Sequence, residues 1–317
     1  MKTVEYDRYG DIADLVLREV PMPRPAEDEV LVQILAAAVN PVDWKLLRGG
    51  FKILTGRHMP RRIGCDFAGR VVATGRAVTM YRPDEMVFGN INPLKGERGS
   101  MAEFLAVKPE ELAPVPGVLS AVQAAALPGS GASALESLRM GRAEAGQHLL
   151  VLGASGGVGS YTVQIAKARG LHVTAVCSEK NAPVVRGLGA DAVCPYDRQD
   201  PLTLPGRFSL IIDTVGKHFL GRCAHLLTAR GHFVQVMPNA RSFLDLWRTS
   251  LFGGRKAHAL MLRLTPAHLR ELAQLAADGR VRPLVGTTFP LERVRDAYAL
   301  SADGHAVGKI VVRIGEA

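Results

Sequence analysis

The sequence is poor in cysteine, and the four it has, Cys65, Cys177, Cys194 and Cys223, stand far apart in the 317 residues. They form no C-x-x-C pair and no short disulfide framework, which excludes a zinc ribbon or a stapled mini-scaffold and suits a reducing compartment. No run of about 18 consecutive apolar residues occurs, so no membrane-spanning helix is expected. The opening stretch, M-K-T-V-E-Y-D-R-Y-G, carries acids and no apolar core. No secretory signal is expected from it, and a cytoplasmic location is. Internal repeats and low-complexity tracts are absent.

What remains is globular in character. The hydrophobic share is 47% and the length suits two domain cores better than one. The formal net charge is +9, yet Arg and Lys are scattered, with only short clusters such as Arg61-Arg62 and Arg255-Lys256. That pattern reads as a basic surface, and no nucleic-acid partner is expected. A multiply anionic cofactor gains from the same field.

The chain is organised around His148 to Gly159, H-L-L-V-L-G-A-S-G-G-V-G. Leu149 to Leu152 has the length of a strand buried on both faces. A turn of small residues follows, Ala154, Ser155, Gly156, Gly157, Val158 and Gly159. After it, Val163, Ile165 and Ala166 can form one face of a helix that stops at Gly170. Strand, glycine turn and helix together are the context of a dinucleotide fingerprint. Small residues let the backbone approach a pyrophosphate, which then faces the free N–H groups of the helix N-terminus. A G-x-G-x-x-G by itself is weak evidence, and here Ala154 takes its first place.

Residues 1–120 read as β-rich, with a strand at Glu29 to Ala36 and shorter ones at Arg70 to Ala73 and Glu103 to Val107. Turn residues recur at short spacing, as in a small barrel. From Ser120 onward helical and strand-like patterns alternate, which means βαβ units and a parallel sheet. Strands are expected at 148–152, 171–177, 191–194, 210–213 and 231–236. Thr265-Pro266 opens a helix with leucines at 269, 272 and 275. Residues 121–283 form the second domain, and 284–317 return to the first.

The cofactor is read where the second strand ends. An NAD site usually holds an acid about 20 residues past the glycines, on the ribose hydroxyls. Here that place is Cys177, followed by Ser178, Glu179, Lys180 and Asn181. Ser178, Lys180 and Asn181 can serve a 2′-phosphate, so NADPH is expected. Glu179 opposes this unless it points away.

Six motifs in order carry a family resemblance: Asn40 to Lys45 (N-P-V-D-W-K), Gly64 to Gly69 (G-C-D-F-A-G), Ala125 to Pro128 (A-A-L-P), Gly153 to Gly159, Leu188 to Asp191 (L-G-A-D), and Gly304 to Lys309 (G-H-A-V-G-K). The chain resembles the zinc-independent quinone oxidoreductase (zeta-crystallin-like) branch of the medium-chain dehydrogenase/reductases. The resemblance implies an α/β fold, a Rossmann doubly wound parallel sheet plus a GroES-like β-rich barrel domain completed by the C-terminus. It also makes a homodimer the expected assembly. Residues matching Asn40 and Asp43 face the nicotinamide in that family, with Lys45 a candidate donor. Asn40 is read as a polar substrate contact and Asp43 as the residue that orients Asn40 and Lys45. The same N-P-V-D also reads as a plain Asx-capped turn. On the cofactor side the resemblance adds Ser133, Tyr196 and Lys309. Val215 and Met237 stand just past strands, where ligands bind in open α/β sheets.

Cys65-Asp66 occupies the place where the zinc branch has His-Glu, and Asn40 stands near its first ligand. Catalytic zinc takes three protein ligands and an open position, and no metal is expected here. Without a Lewis acid for an alkoxide, hydride addition to a quinone or an α,β-unsaturated carbonyl is the expected chemistry. A pathway-specific alcohol dehydrogenase or enoyl reductase is the alternative, and a non-catalytic nucleotide or nucleic-acid module a third. Two departures stand out. The family turn P-G-D-x-V reads Pro83-Asp84-Glu85-Met86-Val87, without its glycine. The segment Ser242 to Leu264, with Phe243, Leu246, Trp247, Leu251 and Phe252 among basic residues, reads as an amphipathic helix over the cleft or at a subunit interface.

Overall fold

The computed structural model describes residues 1–50, 52–56, 58–251 and 254–315. The chain forms two compact units, Met1–Gly129 with Leu264–Ala317, and Ser130–Arg263. The first unit therefore runs past residue 120 and resumes well before 284. Two helices account for both shifts. Ala121–Ala125 lies on the strands Val30–Ala38 and Asp66–Thr74. Pro266–Ala277 buries Leu269, Leu272 and Ala276 and packs on Leu112–Pro114. Each helix belongs where its apolar face finds a sheet, and that is not where the composition changes.

In the first unit the strand Val30–Ala38 is central and almost wholly buried. It pairs along one edge with Asp66–Thr74. Its other edge is shared by Phe104–Val107 over Val30 to Gln33 and by Lys309–Arg313 over Ala36 to Ala38. The sheet runs from Val285–Pro290 through Lys309–Arg313, Val30–Ala38, Asp66–Thr74 and Met86–Asn90 to Leu112–Pro114. Register then does something useful. Ala38 is opposite both Asp66 and Val311. Asn40, Asp66 and Lys309, distant in sequence, arrive at one end of the sheet. A smaller antiparallel sheet, Val16–Glu19, Lys2–Tyr6 and Arg61–Arg62, completes the unit's strands among the described residues.

The second unit carries a six-stranded sheet in the order Ala192–Pro195, His172–Cys177, His148–Leu152, Phe208–Asp213, Leu227–Gln235, Lys256–Ala259. All its pairings are parallel. Leu149 to Leu152 and Leu210 to Ile212 are buried, as two-sided burial requires. In register, Leu152 stands beside Val176 and Asp213, and Asp213 beside Gln235. The loops that follow therefore gather along one edge of the sheet. The sixth strand lies inside the segment read as purely helical. K-A-H-A has little strand character of its own, and long-range pairing with His232 to Gln235 makes it one. The helix in that segment is Ala240–Leu251, and Phe252 lies outside the described residues.

The turn that lost its glycine keeps the left-handed backbone. Asp84 sits at φ +71° and is highly exposed, its N–H donating to Val71 O at 2.9 Å. Aspartate tolerates this region better than most residues but still pays for its Cβ. Asp84→Gly is expected to raise stability by about 0.5–1 kcal/mol in denaturant unfolding. A loss of stability would mean that the turn carries no strain there.

Candidate functional site

The strand His148–Leu152 ends at Gly153, whose φ of +86° a side chain disfavours. A Cβ at Gly153 would also come within 2.6 Å of Thr214 Oγ1 and Val215 Cγ2, and one at Gly159 would overlap the Gly153 carbonyl oxygen. Gly156 is the extended N-cap of the helix Gly157–Ala168. The first N–H groups of a helix have no intrahelical acceptor and attract anions. Ala154 is fully buried under the turn, while Ser155, Gly157 and Val158 stay half-buried. This is a cradle into which a pyrophosphate fits without removing any side chain.

The neighbouring loops are stitched to it. Asn181 Nδ2 donates to Ser155 Oγ at 3.1 Å. Thr214 Oγ1 donates to Leu152 O at 2.8 Å, and a Cβ at Gly216 would stand 3.0 Å from Met237 Cβ. Behind these loops lies Asp213, fully buried. Its Oδ1 accepts from the N–H groups of Val215 and Gly216 at 2.9 and 3.0 Å, and its Oδ2 from His218 N–H at 2.9 Å. Asp213 sets the position of Val215, a role invisible in sequence because its partners are backbone groups. Ser133 is buried in the helix Pro128–Met140.

Past the second strand, Cys177 is buried and Tyr196 N–H donates to its carbonyl at 2.9 Å. Ser178 is buried with an unpartnered hydroxyl, and Lys180 and the Tyr196 ring are exposed. The Glu179 carboxylate accepts from Arg198 Nε at 2.6 Å. Asp197 accepts from the Glu179 N–H at 2.9 Å. Reading along one strand had no means of placing Asp197 and Arg198, which enter from the strand next door. The predicted residues from Ala154 to Gly159, 177–181, Tyr196, Val215 and Met237 thus lie along one edge of the second unit. Lys309 is part of the first unit.

There it sits in a buried polar cluster at the end of the sheet. Its ammonium donates to Val39 O at 2.9 Å and to Asn40 Oδ1 at 2.6 Å, and stands 3.8 Å from Asp66 Oδ2. Asn40 Nδ2 donates to Asp66 Oδ2 at 2.8 Å and reaches Ala38 O and Cys65 Sγ at 3.4 Å. Asp66 Oδ1 accepts from Asn90 Nδ2 at 2.6 Å and from Gly129 N–H at 3.0 Å. The Asn40 amide is thereby committed on both sides. Asp43, in the first turn of the helix Pro41–Leu47, accepts on Oδ2 from Asn40 N–H at 2.9 Å and from Tyr298 OH at 3.2 Å. The Asx cap read in N-P-V-D is not formed, because the Asn40 side chain is committed to Lys309 and Asp66; Asp43 instead reaches back to the Asn40 N–H. Lys45, on the same helix, is half-buried with its ammonium 5.6 Å from the Trp44 ring centre.

Burial sets the acidities. It pushes the Asp43 carboxyl up to about 7, against the pull of the Asn40 N–H. It raises Asp66 as well, with the Lys309 charge opposing it most. The Cys65 thiol is driven well above its ordinary value by burial and by both carboxylates. Burial lowers Lys45, which gives up its proton more readily than a lysine in water.

Two family models match the chain: an alcohol dehydrogenase GroES-like domain over residues 26–117 and a zinc-binding dehydrogenase over residues 188–312. The chain is 32% identical to the chloroplastic quinone-oxidoreductase QR1 of Triphysaria versicolor over 98% of both proteins. It is 32% identical to the chloroplastic NADPH-dependent alkenal/one oxidoreductase of Arabidopsis thaliana, over 98% of this chain and 79% of that one. Among solved structures, the quinone oxidoreductase from Coxiella burnetii superposes with a TM-score of 0.91 at 27% identity, over 99% of each chain.

The second of those models raises the question of zinc. Where Cys65 and Asp66 meet, the Asp66 oxygens are taken by Asn40, Asn90 and Gly129, and the Lys309 ammonium stands 3.8 Å away. Among the described residues no group of three or more His, Cys, Asp or Glu is arranged to hold a metal ion. The donor set does not fit a catalytic zinc with three ligands and an open position.

Gly159→Ala is expected to weaken dinucleotide binding by at least about tenfold, roughly 1.4 kcal/mol, read by fluorescence titration; unchanged affinity would remove the pyrophosphate from this turn. Lys309→Met strands the Asp66 carboxylate and is expected to cost about 3–5 kcal/mol of stability. Adding Asp66→Asn to it is expected to recover much of that loss. Equal losses in the two variants would show that the charge pair is not what the cluster rests on.

Proposed function

This chain belongs to the quinone oxidoreductase family of the medium-chain dehydrogenase/reductases, and we propose that it is an NADPH-dependent, metal-free reductase of quinones or α,β-unsaturated carbonyls. Its membership makes it an oxidoreductase; cofactor, metal independence and substrate class are our reading. The observation that carries it is the Asn40–Asp66–Lys309 cluster, in which the Asp66 carboxylate and the Asn40 amide are engaged by an ammonium and by amide donors. NADPH, when bound, supplies a hydride to an electron-poor carbon of the substrate.

The protein's residues supply the rest. The turn Gly153 to Gly159 receives the pyrophosphate, and Lys180 with Asn181 favours the 2′-phosphate. The Lys309 ammonium orients the Asn40 amide and, with Asp66, holds the end of the sheet rigid. Asp43 pins the first turn of the helix that carries Lys45. Lys45, its proton loosened by burial, passes one proton from solvent to the product oxygen, which balances the hydride. Relatives carry names such as alkenal/one and quinone oxidoreductase, and the proposal takes this substrate class from them. The proposal also takes the protein as a cytoplasmic homodimer, although the plant relatives just cited are named chloroplastic.

The test follows NADPH oxidation with a simple quinone and a simple enone. At least one is expected to turn over, unaffected by a strong chelator, with kcat/KM for NADPH at least about tenfold above NADH. Lys180→Ala is expected to erode that preference while leaving NADH turnover alone. Loss of activity on chelation, turnover of alcohols with both acceptors inert, or a cofactor ratio indifferent to Lys180 would each defeat the proposal.

A further inference from the structure

An acid does stand near the tip of the strand His172–Cys177, at Glu179, two residues past Cys177. It is already engaged. Arg198 reaches it from the loop after the neighbouring strand Ala192–Pro195, whose Pro195 lies beside Cys177, and donates from Nε at 2.6 Å. Among the described residues neither Nη group of Arg198 has a hydrogen-bond partner. The Glu179 N–H is spent as well, on Asp197 Oδ1 at 2.9 Å and Oδ2 at 3.2 Å. Asn181 ties the loop to Ser155 of the glycine turn. Between these bonds the Ser178 hydroxyl has no partner, although the residue is only 7% exposed. A buried hydroxyl left open in this way calls for a ligand acceptor.

Residues 178–181 and 196–198 hold two cations, Lys180 and Arg198, and two acids, Glu179 and Asp197. A free carboxylate here accepts from ribose hydroxyls and repels a phosphate. Both acids are withdrawn from that role, Asp197 by a backbone N–H and Glu179 by the guanidinium. A guanidinium carries five N–H donors in a rigid fork, so a bond at Nε leaves both Nη groups for an oxyanion. Phosphate is the oxyanion that such a fork binds through two parallel bonds. The Arg198 and Glu179 side chains are 69% and 52% exposed, so their pairing adds little to stability. What it decides is direction: it aims the fork and keeps the acid off the ribose.

We infer that Arg198 sets the choice of cofactor, its Nη groups taking the 2′-phosphate of NADPH while its Nε holds Glu179 away from the ribose hydroxyls. Glu179 is then a positioning residue, and it becomes an acid of the NAD type only when Arg198 is removed. This role rests on the NADPH reading proposed above and adds to Lys180 and Asn181 a residue from the next strand's loop. It does not depend on which substrate the enzyme reduces.

Calorimetric titration with 2′,5′-ADP and with 5′-AMP tests it without turnover, because the two differ only in the 2′-phosphate. The native protein is expected to favour 2′,5′-ADP by at least about tenfold, and Arg198→Gln to lose most of that factor with its melting temperature unchanged. The same variant is expected to bind NADH about threefold more tightly, since Glu179 is released to the ribose. Adding Glu179→Gln is expected to abolish that gain without restoring 2′,5′-ADP binding. If the native protein prefers 2′,5′-ADP and Arg198→Gln keeps the preference, the role of Arg198 is overturned and the NADPH reading stands. If the native protein binds both nucleotides equally, both fall. An NADH affinity in Arg198→Gln that Glu179→Gln leaves unchanged would overturn the part given to Glu179.

Discussion

A buried ammonium is costly unless a carboxylate answers it, and in this fold the answer is Asp66 to Lys309. Taking the two ions out of water costs several kcal/mol apiece, which only close pairing and full hydrogen bonding offset. The hydrogen bonding is visible, and the two charges stand 3.8 Å apart. Lys309 reaches two oxygens besides Asp66, and Asp66 accepts from Asn40, Asn90 and Gly129. The five residues come from separate strands, turns and a helix start, so the pair fixes the geometry of the sheet end as a whole. Asn40 is then a rigid amide held between the two charges. Asp43 and the helix behind it inherit that rigidity through the Asn40 N–H.

The second unit solves a different problem by different means. Its cradle is made by leaving side chains out, at Gly153, Gly156 and Gly159, and by pinning the surrounding loops to one another. Asp213 is the counterpart of Asp66, a buried carboxylate spent on backbone N–H groups to hold a loop. In both units a buried acid fixes the neighbouring loop through hydrogen bonds that it accepts. On the proposed reading, binding and chemistry are divided between a cradle for phosphates and a stiff polar cluster beside Lys45.

The glycine turn was legible from sequence because everything it needs is local: one strand, one turn and one helix within twenty-odd residues. The lack of an acid at Cys177 itself was legible for the same reason, whereas Asp197, which accepts from the Glu179 N–H, was not. Lys309 shows where local reading fails. Its motif marked it as functional, but its partners depend on Val311 facing Ala38 across an antiparallel ladder, and no window of sequence contains both. The domain limits failed likewise, since Ala121–Ala125 and Pro266–Ala277 chose their unit by packing. The strand Lys256–Ala259 is held by its neighbour more than by its own residues. The helix Ala240–Leu251 was half legible: its composition announced amphipathicity, but only the bonds of Ser242 to Gln235 and of Thr249 to Ala257 tell which face is inward.

The central claim is that a lysine charge, with no metal ion, organises the cluster around Asn40 and Asp66. Zinc titration of chelator-treated protein, followed by thermal unfolding, addresses it most directly. The account expects no stoichiometric rise in melting temperature for the native protein, and none that Cys65→Ser removes. A one-to-one rise that vanishes in Cys65→Ser would contradict it, because zinc would then be displacing Lys309 from the place this structure gives it.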